Sequence, residues 1–412
     1  MTNHPRRHLA FALGLSYAAM MCLAIAVNLI PVFLTTLALD LGGEGGLTKE
    51  QLGRIGATTF VGLVVGIIAA GLLADRLGTK PFAVAGNLLI AAGLGVLGLA
   101  PDYPAALMAV FVMGMGAGVL DLVLSPIVCA LQPEHRGSAM NWLHSFYCVG
   151  AVATILTAAL ALRFEVAWRA VALWLILMPL AVGLGFLAMK MPPLVAKGHE
   201  RTRLRALCRE TYFLVALAAI FLAGATELGM AQWLPAYAED GLGYTKWTGD
   251  MAFLAFSMAM AVGRMGAGML GRRVAAIPLM LHCGWVSAVL FVMACFAPWR
   301  PAALAACAAV GLTCSCLWPS MVAVTADRFP QGGASMFGLL AAMGNLGGIF
   351  MPWVVGVTAD LSAMNWGLST ATLCPLSMAL LLMWMGSKRH FPQSVRNRSD
   401  QQGPRPPGPS FS

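Results

Sequence analysis

The stretch Val65-Gly-Ile-Ile-Ala-Ala-Gly-Leu-Leu-Ala-Asp-Arg76 ends one apolar block on a charged pair, and Val262-Gly-Arg-Met-Gly-Ala-Gly-Met-Leu-Gly-Arg-Arg273 ends another on two arginines. Laid over one another they put Gly71 on Gly268, and the same shift puts Pro133 on Pro330, Ser138 on Ser335 and Gly150 on Gly347. Two copies of one unit in parallel order predict halves related by an axis along a membrane normal, as in transporters. Channels and receptors rarely look like this.

Working outward, near-chargeless blocks recur from Leu9 to Gly386, each longer than the roughly 20 residues a helix needs to cross a bilayer. Of the 412 residues, 59% are hydrophobic and 10% charged, with a mean hydropathy of +0.79. A water-soluble enzyme carries about 25% charged residues and is excluded. A membrane barrel alternates polarity along short segments, and these blocks do not. Cuts at charged and Pro/Gly-rich breaks predict twelve helices near 9–39, 51–74, 81–100, 104–132, 137–162, 166–189, 209–239, 246–272, 276–297, 300–328, 332–360 and 365–387. The expected fold is therefore all-α. An N-terminal six-helix half over 1–189 and a C-terminal six-helix half over 209–387 flank a polar linker at 190–208. The Pro/Gly/Ser/Gln-rich tail, 388–412, is expected to be disordered. Residues 1–8 and the run behind them imitate a signal peptide without an Ala-x-Ala site, so the first helix is expected to be retained.

The net charge of +9 does not form a nucleic-acid patch, because the cations lie between the apolar blocks and report topology instead. Of 26 Lys and Arg, six (Lys49, Arg54, Arg163, Arg169, Lys246, Arg300) fall on one side, Arg264 falls within a span, and the other nineteen fall with the N-terminus. That asymmetry predicts both termini in the cytoplasm of a multi-pass protein of the cell (inner) membrane. The ten cysteines have no metal-type spacing and read as apolar packing groups. Gly114-Met-Gly116-Ala-Gly118 and Gly344-Asn-Leu-Gly347-Gly348 sit in lipid-length helices and read as close helix contacts, not phosphate loops. No nucleotide or other cofactor is expected beyond a coupling ion, H+ or Na+.

Three charged residues stand inside spans: Asp121, Glu227 and Arg264. A charge at that depth costs a few kcal/mol on insertion scales and is normally turned into a protein cavity, which makes these the leading functional candidates. By helical rise, Asp121 lies about 16 Å and His144 about 10 Å from the inner ends of spans 4 and 5, close enough to meet directly or through water. Glu227 lies about 18 Å from the outer end of span 7 and Arg264 about 12 Å from the inner end of span 8, which leaves a vertical gap between them. Arg264 is expected to bond carbonyls or to pair with an acid in a gate. Trp233 and Trp318 offer rings that can stack on a ligand, and Asn28 is the strong amide of span 1.

Gly71-Leu-Leu-Ala-Asp75-Arg76-Leu-Gly78-Thr-Lys80 resembles the loop signature of the major facilitator superfamily. The resemblance implies a major facilitator fold in which Asp75, Arg76 and Lys80, with degenerate counterparts at Arg272 and Arg273, form a cytoplasmic charge network gating the halves. Leu120-Asp121-Leu-Val-Leu-Ser125-Pro126, then Asn141-Trp-Leu-His144-Ser145-Phe146-Tyr147-Cys-Val-Gly150, is similar to spans 4 and 5 of the fucose permease and glucose/galactose porter branch. Gly224-Ala-Thr-Glu227-Leu-Gly229 with Trp233-Leu-Pro-Ala-Tyr237 resembles span 7 of those porters and of their sodium-dependent glucose transporter relatives. Carried over, Asp121, Asn141, His144 and Glu227 take the substrate-binding or coupling positions. Ser125, His144 and Tyr147 depart from the branch, which has Asn, Gln and Asn there, and span 1 lacks its acid.

The function expected is secondary active transport of a small polar solute, a sugar or related compound, by alternating access in a monomer. The alternative is an exporter of amphipathic compounds or organic anions. Span 5 reads Gly150-Ala-Val-Ala-Thr154 without the Pro of the exporters' signature, and span 4 lacks their Arg. A receptor built on the same fold is a third reading.

Overall fold

The computed structural model describes residues 4–132, 136–189, 204–270, 274–329 and 333–387. All regular structure among them is helical, arranged as twelve rods. Spans 1 to 5 are His4–Leu41, Lys49–Leu77, Lys80–Leu99, Tyr103–Leu131 and Arg136–Arg163. Span 6 is broken at Ile176 into Trp168–Leu175 and Leu177–Ala188. After a one-turn helix, Leu204–Leu207, span 7 runs from Thr211 to Ala236 and continues through a π-turn, Tyr237–Gly241. Span 8 is Lys246–Leu270, span 9 Ala276–Phe296, and span 10 is broken into Arg300–Cys314 and Leu317–Arg328. Span 11 is Gly333–Leu361, and span 12 runs from Met364 to Ser387 through a 3-10 turn. Eleven stretches are long and apolar enough to cross a membrane, and Lys246–Leu270 adds a rod of 25 residues.

An even number of crossings leaves residues 4 and 387 at one end of the bundle, here called the terminal end; the opposite end is the far end. Local sequence sets the breaks. Thr48 caps span 2 in a reciprocal box with Gln51, and Asp102 caps span 4 by accepting from Ala105 N–H. Gly78 ends span 2 at φ 78°, a left-handed conformation that a side chain rarely adopts.

The repeat read from the sequence is visible as packing. A Cβ on Gly150 of span 5 would lie 2.7 Å from Met21 Cα of span 1; one on Gly347 of span 11 would lie 2.3 Å from the Phe221 carbonyl of span 7. The same shift relates Gly114, whose Cβ would meet the Thr59 carbonyl at 1.9 Å, to Gly311, whose Cβ would meet the Phe256 carbonyl at 2.3 Å. Backbones approach this closely only where a side chain is missing, the usual device for helix contact in lipid. The glycine clusters in spans 4 and 11 are thus contact residues, as expected. Gly71 is not one of them: a Cβ there would meet Leu122 at an ordinary 3.6 Å, and span 2 makes its tight contacts at Gly62 and Gly66.

Between the halves, span 2 lies along span 11, span 5 along span 8 and span 1 along span 7. That ring surrounds a central site at mid-helix.

Candidate central site and its far-end closure

Glu227 and Arg264 meet. Nη2 of Arg264 donates to both carboxylate oxygens of Glu227, at 3.1 and 3.4 Å. The vertical gap expected between them is closed for two reasons. The π-turn at Tyr237–Gly241 lengthens span 7, so Glu227 stands 14 residues, about 21 Å, from its end. The long arginine stem spans the remaining offset. The Glu227 side chain is 9% exposed and that of Arg264 25%, so the pair is largely, though not wholly, withdrawn from solvent.

The other half supplies the facing groups. The guanidinium lies over the Tyr147 ring of span 5, 5.9 Å from its centroid, and the Tyr147 hydroxyl accepts from Asn28 Nδ2 of span 1 at 3.4 Å. His144 and Cys148, also on span 5, lie within electrostatic reach of Arg264, and Cys314 of span 10 within reach of both charges. Trp318 is half-buried, its indole edge against Gly344 and Gly224, one turn along span 7 from Glu227. Asn28, Tyr147, His144, Glu227 and Arg264 thus converge at mid-helix between the halves, here called the central chamber, and Trp318 is placed by its packing on Gly344 and Gly224. An ion pair there is held by geometry and sensitive to loss of either partner.

Asp121 and His144, expected to meet, share no hydrogen bond. Asp121 is half-buried and makes no hydrogen bond or ion pair among the described residues. Span 4 explains this. Residues 109, 113, 116 and 120 pack on span 3 and residues 111, 115, 119 and 122 on span 2. At about 100° per residue, Asp121 falls on the remaining side, where span 1 runs alongside. Trp233, expected to stack on a ligand, is fully buried, and its indole N–H donates to the Pro352 carbonyl of span 11 at 2.9 Å. It fastens spans 7 and 11 together and does not line the chamber. Lys80, assigned to the gate, donates instead to the Leu187 carbonyl at 2.8 Å, tying spans 3 and 6 of one half. Arg272 and Arg273 lie outside the described residues, as do the side chains of Asp75, Arg76 and Asn141.

A second polar cluster seals the far end between the halves. Thr35 donates to Glu239 at 2.8 Å, and Lys49 pairs with Asp240. Lys246 donates to the Val32 carbonyl at 2.5 Å and sits 3.5 Å from Asp250 and 3.9 Å from Glu239. Asp360, at the end of span 11, accepts the backbone N–H groups of Lys49 and Glu50 at 2.8 and 2.7 Å, so one half supplies a carboxylate to the first turn of a helix in the other. Trp353 donates to Glu50 at 2.8 Å, and Arg163 stacks over Trp247 at 5.1 Å. Sequence reasoning counted Lys49 and Lys246 only as topological charges and missed their partners. The available signal was that acids and bases crowd the same ends of spans 1, 2, 7, 8 and 11.

A profile of the Major Facilitator Superfamily matches residues 9–282 and 248–411. Segments are similar to curated transporters. The "putative niacin/nicotinamide transporter NiaP" of Bacillus subtilis is 36% identical over 114 residues, 27% of this chain and 28% of that one. The gentisate transporter of Corynebacterium glutamicum is 28% identical over 250 residues, 57% of this chain and 55% of that one. The chain thus matches about half or less of the length of these relatives. In structure, a variant of the Escherichia coli fucose:proton symporter FucP superposes with a TM-score of 0.66 at 19% identity, over 92% of this chain and 99% of that one. A bacterial homologue of the human lysosomal transporter Spinster superposes with a TM-score of 0.77 at 12% identity, over 92% and 97%. Both are likenesses of fold. Matched by the profile along almost its whole length, and folded as two six-helix bundles, the chain belongs to the Major Facilitator Superfamily.

Proposed function

We propose that this protein is a proton-coupled secondary transporter that carries a small polar solute across a cell (inner) membrane. Its halves, 1–189 and 209–387, rock about the central chamber, with both termini in the cytoplasm and the monomer as the working unit. One observation carries the reading: a carboxylate and a guanidinium are paired at mid-helix in one half and faced by Tyr147 and Asn28 of the other. Such a pair binds a solute between the halves and gives Glu227 a state-dependent partner, the requirement for exchanging a proton during the cycle. The closed far end gives the complementary barrier. Asp75 and Arg76 are proposed to make its counterpart at the terminal end.

A sugar or related compound is favoured by the resemblance of spans 4, 5 and 7 and by the unpartnered Asp121. An organic anion is favoured by the cation in the chamber. Reconstituted uptake separates these readings: L-fucose, D-galactose, nicotinate and gentisate are offered to proteoliposomes with proton or sodium gradients. Gradient-driven accumulation of any of them in the wild type is expected. Glu227→Gln should abolish it and leave counterflow, because the amide imitates the protonated carboxyl. Full accumulation by Glu227→Gln removes Glu227 from coupling. Accumulation that follows the sodium gradient at fixed pH replaces the proton by Na+.

A further inference from the structure

The Arg264 guanidinium spends Nη2 on Glu227 and also lies within hydrogen-bond reach of the Cys148 thiol. It carries five N–H donors, yet among the described residues Nη2 alone meets an oxygen, and Nε is buried with no hydrogen-bond partner. A buried donor left unmade is costly, and a charged one more so. The side chain is nonetheless 25% exposed at this mid-helix position between the halves. Around it stand the Tyr147 ring, His144, the Cys148 thiol and, through Tyr147, Asn28.

We propose that Arg264 receives the carboxylate of a small cyclic or aromatic organic acid, with its ring against Tyr147. The inference rests on the transporter reading and narrows its substrate class. A planar carboxylate matches the guanidinium fork with two parallel hydrogen bonds, and a hydroxyl does not. The Tyr147 ring beside the guanidinium favours a flat solute body over a fully hydroxylated one.

The same geometry sets the coupling. Glu227 and the solute carboxylate against one guanidinium leave a net charge of −1 in a half-buried chamber. Taking one proton from chamber water onto Glu227 restores neutrality, so one proton enters with each anion. The ionisable groups that face the pair are Tyr147, Cys148 and His144 of span 5 and Cys314 of span 10. Tyr147, Cys148 and Cys314 are uncharged at pH 7 in their ordinary forms, whereas an ordinary His titrates at about 6.5, so His144→Gln is the variant that separates His144 from Glu227: it should keep the pH dependence.

The test is binding to the purified full chain in detergent, by calorimetry, with nicotinate against nicotinamide and benzoate against benzamide, from pH 5.5 to 8. Each acid is expected to bind at least about 10-fold tighter than its amide, and more tightly as the pH falls. Arg264→Gln should erase the acid preference. Glu227→Gln should keep it and flatten the pH dependence. Equal affinity for acid and amide in the wild type overturns the proposal without any variant, so poor folding of Arg264→Gln does not shield it. L-fucose counterflow in proteoliposomes without acid binding sinks the carboxylate assignment and leaves the transporter reading standing. Acid binding with no counterflow of any probe does the reverse.

Discussion

Asp360 belongs to span 11, yet both its oxygens are spent on the first turn of span 2, at 2.8 and 2.7 Å. Asp360→Asn removes the charge and replaces one acceptor with an NH2 group, so one of the two N–H donors loses its partner. A carboxylate at a helix N-terminus is worth about 0.3–1 kcal/mol at an exposed site, and a lost hydrogen bond about 1 kcal/mol. Asp360 is exposed, so screening lowers the sum to about 1–1.5 kcal/mol. These contacts join the two halves, so if the halves rock as proposed the loss falls on the far-end-closed state alone. The equilibrium should shift about 10-fold towards far-end opening. Spin-labelled unnatural residues at Pro101 and Trp299, on opposite halves of the far end, report the distance by pulsed resonance without touching the native cysteines. The variant should show a longer-distance population enlarged several-fold. Asp102→Asn is the control, because Asp102 caps span 4 within its own half at 2.9 Å from Ala105 N and should leave the distribution unchanged. An unaltered distribution in Asp360→Asn, or an equal change in the control, would refute the cross-half cap as part of the closure.

Gly114→Val drives a side chain into the Thr59 carbonyl, 1.9 Å from the Cβ position; a loss of at least about 3 kcal/mol is expected, read as failure to yield monodisperse protein by size exclusion. Trp233→Phe forfeits the bond to the Pro352 carbonyl and removes part of a fully buried ring, so stability should drop by about 2 kcal/mol or more while solute KM stays put; a large KM change would return Trp233 to the binding site. Asp75→Asn should slow turnover several-fold with affinity within a few-fold, as expected for a terminal-end gate contact worth about 1 kcal/mol. An unchanged transport rate would remove Asp75 from the gate.

The fold was legible because lipid imposes it. Blocks of more than twenty apolar residues allow few alternatives to helices, and the glycines shared by the two halves mark where backbones touch, as Gly150 and Gly347 do. The site was legible at the level of candidates: cost alone singles out Asp121, Glu227 and Arg264 in the membrane interior. The pairing of the last two was not. A ruler laid along straight, separate helices omits the π-turn after Pro235 and the reach of an arginine, and those two features bring the charges together. Trp233 fails for a related reason, since a ring on a span facing the axis can point at the solute or at a neighbouring helix, and only packing decides. The far-end closure was hidden more deeply. Asp360 bonds with backbone N–H groups more than three hundred residues away, and backbone donors leave no trace in a residue pattern. Charges at span ends advertise topology and closure in the same letters. Which of the two Lys49 and Lys246 serve is settled by the helix each finds across the interface, and here each finds one in the opposite half.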